Sequence, residues 1–219
     1  MINLHPTAQQ LMTYVDGSME PMMALVVACH VDMCAHCRAK VEQLQLTISD
    51  NAFALESQDN VSFGDMMASI MALPAAEPRV RPASPPTLEL DGRSFVLPRP
   101  LRRFVDKTGN WSHLLGNLWQ APVDIGGGGK AQFIFMEKGG RVPEHTHRGN
   151  ETTLVIDGEF SDGLGHYDSG DFIHMDGHHV HTPRSDADEG CLVFSVVDKP
   201  LHFTSGIARL LNPFSQLFF

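Results

Sequence analysis

Five prolines lie within thirteen residues near the middle of the chain, at positions 74, 78, 82, 85 and 86. Proline has a fixed φ and no amide hydrogen, so neither a helix nor a central strand can continue through such a run. The same composition favours an extended, semi-rigid connector. We therefore expect a linker at residues 74–87 that separates an N-terminal domain, residues 1–73, from a C-terminal domain, residues 88–219.

The N-terminal part has a helical pattern. Thr7 is a candidate N-cap, and a further short helix is expected at residues 64–73. Apolar residues recur at helical spacing in two runs, which are Leu11, Tyr14 and Val15, then Val41, Leu44 and Ile48. The pattern predicts a domain of four helices.

The C-terminal part has the pattern of short strands. Four β-rich runs lie at residues 94–97, 132–136, 152–156 and 191–197. Turns are expected at the glycines Gly139, Gly140, Gly158, Gly163 and Gly170. The pattern is typical of an antiparallel sandwich or barrel. The chain is thus predicted to be an α+β protein of two domains.

The charge distribution restricts the partners. The chain has a formal net charge of −10, and residues 1–73 carry eight carboxylates but only two basic side chains, Arg38 and Lys40. Nucleic-acid binding needs clustered Lys and Arg, so no direct nucleic-acid partner is expected. An acidic helical surface instead favours a basic protein partner, although a solvated surface without a partner would have the same composition.

No membrane segment is predicted. The longest apolar run near the N-terminus, residues 22–29, is far shorter than the roughly 20 residues that a bilayer span needs. The first residues lack the basic start and cleavage site of a secretory signal, so we expect a cytoplasmic protein. In a reducing compartment, the grouping of Cys29, Cys34 and Cys37 within nine positions favours a metal site over disulfides.

The first candidate metal site lies in the sequence ACHVDMCAHC. On one continuous helix, His30, Cys34 and Cys37 would share a face, whereas Cys29 and His36 would point elsewhere. Structural zinc takes four N or S ligands, and His5, just before the first predicted helix, is the candidate for the fourth. The alternative is that the two cysteines only pack in an apolar core.

The second candidate site combines His145, His147 and Glu151 with His181. The even separations of the first three would place them on one side of an extended strand. Three imidazoles and one carboxylate suit Zn, Mn, Fe or Ni, and no thiolate narrows the choice. Nearby histidines at 174, 178 and 179 make His181 the least secure member, and scattered surface histidines are the alternative for the whole set.

Both constellations resemble known families. An N-terminal His with HxxxCxxC resembles the zinc-binding anti-sigma domain, and the spacing from Gly139 through His145, His147 and Glu151 to Gly158 resembles the first cupin motif. The second cupin motif departs at Asp176 and His178, where proline and glycine are common. Together, and in this order, the two halves resemble ChrR-type zinc-binding anti-sigma factors.

The resemblance implies a function. It implies that the helical domain, with zinc at His5, His30, Cys34 and Cys37, sequesters an extracytoplasmic-function sigma factor. It also implies that the cupin domain binds a second zinc and that this domain releases the sigma factor under singlet-oxygen-type stress. Since cupins often pair, a homodimer through this domain is a further expectation. The protein would not be an enzyme.

Two alternative functions also agree with the sequence. One is a metal-dependent cupin enzyme, such as a dioxygenase or isomerase, with an accessory helical zinc domain. The other is a structural zinc protein or metal-storage module without a sigma factor partner, which leaves the acidic helical domain unexplained.

Methionines are concentrated in the helical half, where nine of the eleven occur. Flexible thioethers suit adaptable binding surfaces, so Met66, Met67 and Met71 are candidate contacts for the sigma factor. Filling of an ordinary core is the alternative for each of them.

Overall fold

The computed structural model describes residues 1–54, 63–74, 85–114, 116–126 and 129–204, with the single residues 206, 209 and 212. Its N-terminal part contains four helices within those bounds. They are α1 Ala8–Val15, α2 Pro21–Met33, α3 Ala35–Phe53 and α4 Gly64–Met71. A one-turn helix, α5 Arg99–Arg102, follows at the start of the β-rich part.

Helix α1 begins where the sequence predicts. The Thr7 hydroxyl accepts from the Gln10 amide at 3.2 Å, and the Gln10 side chain accepts from the Thr7 amide at 2.8 Å. This reciprocal capping box satisfies two amide groups that the first helical turn leaves unpaired. It fixes the point at which the N-terminal segment, residues 1–6, enters the helix.

The helix is interrupted at Cys34, between α2 and α3, so the expectation of one continuous helix is wrong. Cys34 has φ −108° and ψ 106°, and it ends one helix and caps the next. The two helices meet at a bend of 115°. His30 and Cys37 therefore lie on different helices, and the bend rather than a shared helical face brings them together.

No single described helix is long and apolar enough to cross a bilayer, and only the bent pair of α2 and α3 passes that test jointly.

Twelve strands form the C-terminal part within the described residues. They are β1 Thr87–Leu90, β2 Arg93–Val96, β3 Ser112–Leu114, β4 Leu118–Val123, β5 Lys130–Met136, β6 His145–His147, β7 Glu151–Ser161, β8 His166–Asp168, β9 Phe172–Met175, β10 Val180–His181, β11 Cys191–Val197 and β12 Leu201–Phe203. All their pairings are antiparallel. The α+β class with a helical N-terminal region and an antiparallel cupin-like region is confirmed.

A seven-stranded sheet and a three-stranded sheet carry the second candidate site. The large sheet has the order β3-β4-β5-β11-β7-β8, with β9 also paired to β7, and the small one has the order β10-β6-β12. The expected turn at Gly158 is wrong, because β7 continues through this residue. Gly158 has φ +78°, and the β7–β11 register shifts beside it, so the glycine accommodates an irregularity in a long strand.

Strand β11 explains how the sheet is covered. All seven of its residues are buried. Because alternate side chains of a strand face opposite sides of the sheet, both faces of the sheet are covered at this strand. Leu192 and Phe194 join an apolar cluster shared with the helices, whereas Cys191 and Val193 join a second cluster on the other face. The continuous apolar run CLVFSVV is the sequence consequence of burial on both faces.

Helix α2 is the main contact between the two parts. It packs against α1 and α3 of the helical part and against α5, β7 and β11 of the β-rich part. Val26 and Val27, which are adjacent and point in different directions, are both fully buried. A helix that is apolar on every side needs such burial on every side. The helices and the large sheet consequently share one continuous apolar core.

Two predictions fall largely on residues outside those described. The predicted linker, residues 74–87, includes residues 75–84, and the apolar C-terminal sequence NPFSQLFF, a further candidate for covering a subunit or domain surface, includes residues 213–219. The domain boundaries therefore stay predictions.

Candidate metal centres

The first candidate centre, here the helical cluster, brings together His5, His30, Cys34 and Cys37. His5 precedes α1, His30 lies in the last turn of α2, Cys34 occupies the break, and Cys37 lies in the first turn of α3. Three of the four are buried, while His5 keeps contact with solvent. The four residues that the sequence selects thus converge in space.

The distances between the ligand atoms of the helical cluster fit a tetrahedrally coordinated metal ion. His5 Nδ1 lies 3.3 Å from His30 Nε2 and 3.5 Å from each of the two cysteine Sγ atoms, and His30 Nε2 lies 3.3 Å from Cys37 Sγ. Zinc with bonds of about 2.0–2.3 Å to N and S would separate its ligands by about 3.3–3.8 Å. The donor set and the distances therefore suit closed structural coordination.

The protonation of these groups also suits a metal. Burial lowers the pKa of His30 to about 4 and also lowers the pKa of His5, so both imidazoles are neutral at pH 7. Burial, followed by the neighbouring Cys34, raises the pKa of Cys37 to about 11. Since a metal ligand must be the thiolate, binding at this cluster would release a proton from Cys37.

The second candidate centre, here the cupin cluster, brings together His145, His147, Glu151 and His181. The expectation that the first three share one strand is wrong: His145 and His147 lie on β6 of the small sheet, whereas Glu151 begins β7 of the large sheet. His181 pairs with His145 across β10 and β6. The cluster therefore lies between the two sheets, with ligand candidates from both.

Three distances within the cupin cluster are shorter than those in the helical cluster, whereas His181 Nε2 lies 3.8 Å from Glu151 Oε2. His181 Nε2 lies 2.9 Å from His145 Nε2 and 3.1 Å from His147 Nε2, and His147 Nε2 lies 3.1 Å from Glu151 Oε2. An ion about 2.1 Å from each atom separates ligands at right angles by about 3.0 Å, as in octahedral coordination. The set fits a divalent ion with remaining coordination positions and leaves its identity open.

Burial keeps the imidazoles of His145 and His147 neutral. It lowers the pKa of His145 to about 4, with His181 adding to the effect, and it also lowers the pKa of His147. Neutral imidazoles with Nε2 turned inward are in the form that binds a metal.

Hydrogen bonds outside the cupin cluster orient its members, and sequence analysis missed the residues that make them. The Ser195 hydroxyl donates to Glu151 Oε1 at 2.6 Å, which leaves Oε2 for the cluster. The Pro143 carbonyl lies 2.8 Å from His145 Nδ1 and fixes the orientation of that ring. Such contacts set which nitrogen of a histidine faces the metal.

Asp162 is the third of these outer groups. Its Oδ2 atom lies 3.2 Å from His181 Nδ1 and accepts from the Tyr167 hydroxyl at 3.0 Å, while Oδ1 accepts from the amides of Leu164 and Gly165. Burial acts to raise the pKa of Asp162, but these hydrogen bonds outweigh burial and lower it. A buried carboxylate with four partners is thus built into the structure beside His181.

A cavity of about 50 Å³ adjoins the cupin cluster. A water molecule needs at least about 10–15 Å³ of such space, so a few waters or a very small ligand would fit. Besides His145, Glu151 and His181, the walls are mainly apolar, with Ile134, Met136, Phe160 and Met175 among them. A small molecule in this cavity would therefore meet the cluster within a largely apolar space.

The competing residues lie elsewhere. Cys29 is fully buried and outside the helical cluster, and the His36 ring lies 5.5 Å from that of His5 without joining the four. His174 Nδ1 lies 2.9 Å from the Thr152 hydroxyl, and His179 contacts Asp176 at the surface. The structure thus favours His181 over its neighbours, and the eight metal ligands remain predictions.

Comparison with known proteins places these features in a family. Residues 99–200 match the ChrR cupin-like domain family. The chain is 31% identical over 99% of its length, and 99% of the relative's, to anti-sigma-E factor ChrR of Cereibacter sphaeroides. It also resembles the crystal structure of Rhodobacter sphaeroides SigE in complex with the anti-sigma ChrR, with 26% identity, a TM-score of 0.70 and coverage of 90% of this chain and 100% of that one.

The alternative of a cupin enzyme does not agree with these relatives, since both are anti-sigma factors. The match extends through the helical half as well as the cupin half. This chain belongs to the ChrR family of anti-sigma factors.

Proposed function

We propose that this protein holds an extracytoplasmic-function sigma factor inactive through its helical part, residues 1–73, and releases it under oxidative, singlet-oxygen-type stress. The observation that carries the proposal is the full-length similarity to an anti-sigma factor. The similar ChrR structure is a complex with SigE, so a sigma factor is the partner class to expect here.

The surface of α4 supports a protein partner for the helical part. Within the described residues, α4 buries none of its side chains. Its apolar residues Met66, Met67, Ile70 and Met71 are 54%, 58%, 54% and 78% exposed. A short helix with so much exposed apolar surface gains little stability alone. Docking on a sigma factor would cover it.

The charge of the helical part supports a basic partner surface. Its eight carboxylates outnumber its two basic side chains, and Glu42, Asp50 and Asp65 are exposed to solvent, where positive charge could meet them. A sigma factor has basic surfaces that contact DNA. Occupation of such a surface by an acidic domain would block its normal use.

We assign zinc to the helical cluster on the basis of its two thiol and two imidazole donors. When bound, the ion supplies a fixed cross-link in a helical part that contributes only a few side chains to the shared core. His5 ties the N-terminal segment to α2 through His30 and to α3 through Cys37. The geometry of the surface that meets the sigma factor would depend on that cross-link.

We assign a second metal, with zinc as the expected ion, to the cupin cluster and propose that this part senses the stress signal. Its imidazole and carboxylate donors would hold the ion, Ser195 and Asp162 would orient them, and the apolar cavity would limit access. A change at this cluster would reach the helices through the shared core.

The test is inhibition of a sigma factor by the purified chain. The chain should form a complex with a sigma factor of its host and should reduce transcription from a cognate promoter in a reconstituted assay with RNA polymerase. Absence of a complex together with unchanged transcription would refute the proposal.

The sensing part is tested separately with His145→Ala and Glu151→Gln. Both variants should still inhibit the sigma factor but should fail to release it after oxidant treatment. An unchanged release in both variants would instead point to oxidation of Cys34 and Cys37.

A further inference from the structure

Three consecutive cupin residues, 170–172, contact the segments that carry two helical-cluster residues. These residues belong to the turn that leads into β9, and this turn lies against both α2 and the N-terminal segment. The Gly170 carbonyl lies 2.8 Å from Nδ1 of His30 and accepts the ring N–H. With its proton on Nδ1, the imidazole has Nε2 free to face Cys37 and His5.

Asp171 contacts the N-terminal segment with its side chain. The residue is fully buried, and its Oδ1 accepts from the amides of Asn3 at 2.6 Å and Leu4 at 2.9 Å. Its Oδ2 accepts from the amide of Asp168 at 2.9 Å. The carboxylate thus satisfies three backbone donors, two of which lie just before His5.

Phe172 completes the attachment through its backbone. Its amide donates to the Leu4 carbonyl at 3.1 Å. Both backbone groups of Leu4 are therefore held by the cupin part. Ile2 covers Gly170 so closely that a Cβ there would lie 2.4 Å from Ile2 Cδ1, and Gly170 has φ +94°, so this position suits glycine alone.

We propose that Asp171 is a positioning residue for the helical cluster and that the cupin part thereby fixes His5 as a metal ligand. A segment ahead of the first helix is ordinarily mobile unless it is tied down, and His5 lies in such a segment. Asp171 and Phe172 hold the residue next to it, and Gly170 orients His30. Half of the helical cluster is thus oriented by a turn of the other part.

The same turn is bonded to the strand that begins with Glu151. The Gly170 amide donates to the Val155 carbonyl at 2.8 Å, and the Val155 amide donates to the Asp171 carbonyl at 3.1 Å. Movement of β7 relative to β9 would therefore disturb the support of His5 and His30. This gives the two candidate centres a direct structural connection.

The experiment measures Co²⁺ binding to the full chain, and it rests on the metal site assigned above. A thiolate-to-cobalt absorption band reports the helical cluster alone, because the cupin cluster has no sulfur donor. Asp171→Ala should raise the apparent Kd for this band about tenfold, as loss of an outer hydrogen-bonding partner typically does. Asp171→Asn should raise it about threefold, because its amide oxygen can still accept from Asn3 and Leu4.

Asp168→Ala is the matched control. Asp168 ends β8 just before this turn, but its side chain is half-exposed and, among the described residues, pairs with the amino group of Met1 at 3.6 Å. This variant should bind Co²⁺ like the wild type. Metal retained in the cupin cluster after the thiols are blocked with a mercurial shows that each variant is folded.

Wild-type Co²⁺ affinity in Asp171→Ala would overturn the inference. If that variant does not fold, wild-type affinity in Asp171→Asn overturns it in the same way. A wild-type chain without any thiolate band would remove the helical metal centre itself, and this inference with it.

Discussion

Asp162 and His181 form a buried carboxylate–imidazole pair, with 3.2 Å between Asp162 Oδ2 and His181 Nδ1. Asp162→Asn should lower the metal affinity of the cupin cluster about 10–100-fold, since the amide cannot hold the imidazole N–H as the carboxylate does. Competition with a chromophoric chelator measures the change. Asp157→Asn, an exposed site on β7, the strand that ends just before Asp162, is the control, and equal affinities in the two variants would contradict the assigned role.

Cys37 and Cys29 make a second matched pair, since both are fully buried and only Cys37 belongs to the helical cluster. The wild-type chain should bind two metal ions, and Cys37→Ser should bind one. Cys29→Ser should keep both. Elemental analysis after dialysis measures the stoichiometry. One ion in the wild-type chain would contradict the model of two centres.

The exposed face of α4 should contribute to affinity and little to stability. The double substitution of Met67→Ala and Met71→Ala should weaken sigma factor binding at least about tenfold, as truncation of interface anchors does. Because both side chains are exposed, the free energy of unfolding should change by less than about 0.5 kcal/mol per site. Calorimetric titration measures the affinity. Leu46→Ala, at an exposed site of α3, serves as the control, and an equal loss there would contradict a specific role for α4.

The metal-free protein should lose stability between about pH 6.5 and pH 4. The pKa values of His30 and His145 are each lowered to about 4 by burial, whereas an unfolded histidine titrates near its ordinary value of 6.5. Within this window the unfolded chain binds more protons, so acidification favours unfolding. Urea unfolding at a series of pH values measures the effect. Stability that is constant across the window would contradict burial of these rings in the neutral form.

A chain that ends within the linker should inhibit the sigma factor without responding to oxidant. It should also bind a hydrophobic dye more strongly than the intact protein, because removal of β7 and β11 exposes the apolar side of α2. A transcriptional reporter measures the inhibition, and dye fluorescence measures the exposure. Loss of inhibition despite retained metal would contradict the assignment of sigma factor binding to residues 1–73.

The local features were predictable from the sequence. Thr7 begins a helix because its side chain and that of Gln10 cap each other, and both residues are neighbours in sequence. Three members of each cluster were also identifiable, because metal-ligand residue types at close spacing are rare, whereas the distant His5 and His181 were selected mainly by resemblance to known families. The bend at Cys34 and the separation of His147 from Glu151 onto two sheets depend on tertiary structure. Neither changes the spacing of the residues along the sequence, so neither could be predicted from that spacing.

The outer hydrogen-bonding residues could not be predicted for a different reason. Asp162, Asp171 and Ser195 are common residue types with no spacing relation to the residues they contact. Asp171 is separated from Asn3 by 168 positions, and Ser195 from Glu151 by 44. The one available sign was a carboxylate or hydroxyl in an otherwise apolar stretch, as for Ser195 in CLVFSVV. Burial of such a group implies a partner but does not name it.

The packing of helix α2 against both halves of the chain restricts how proteins of this family can diverge. Helix α2, in which Val26 and Val27 are fully buried, packs against elements of both halves of the chain, so a substitution on it must suit neighbours in both. An exchange of the cupin half for that of a distant relative would leave α2 facing a surface for which it was never selected. We therefore expect the two halves to be inherited and to vary together, with α2 as the slowest segment to change.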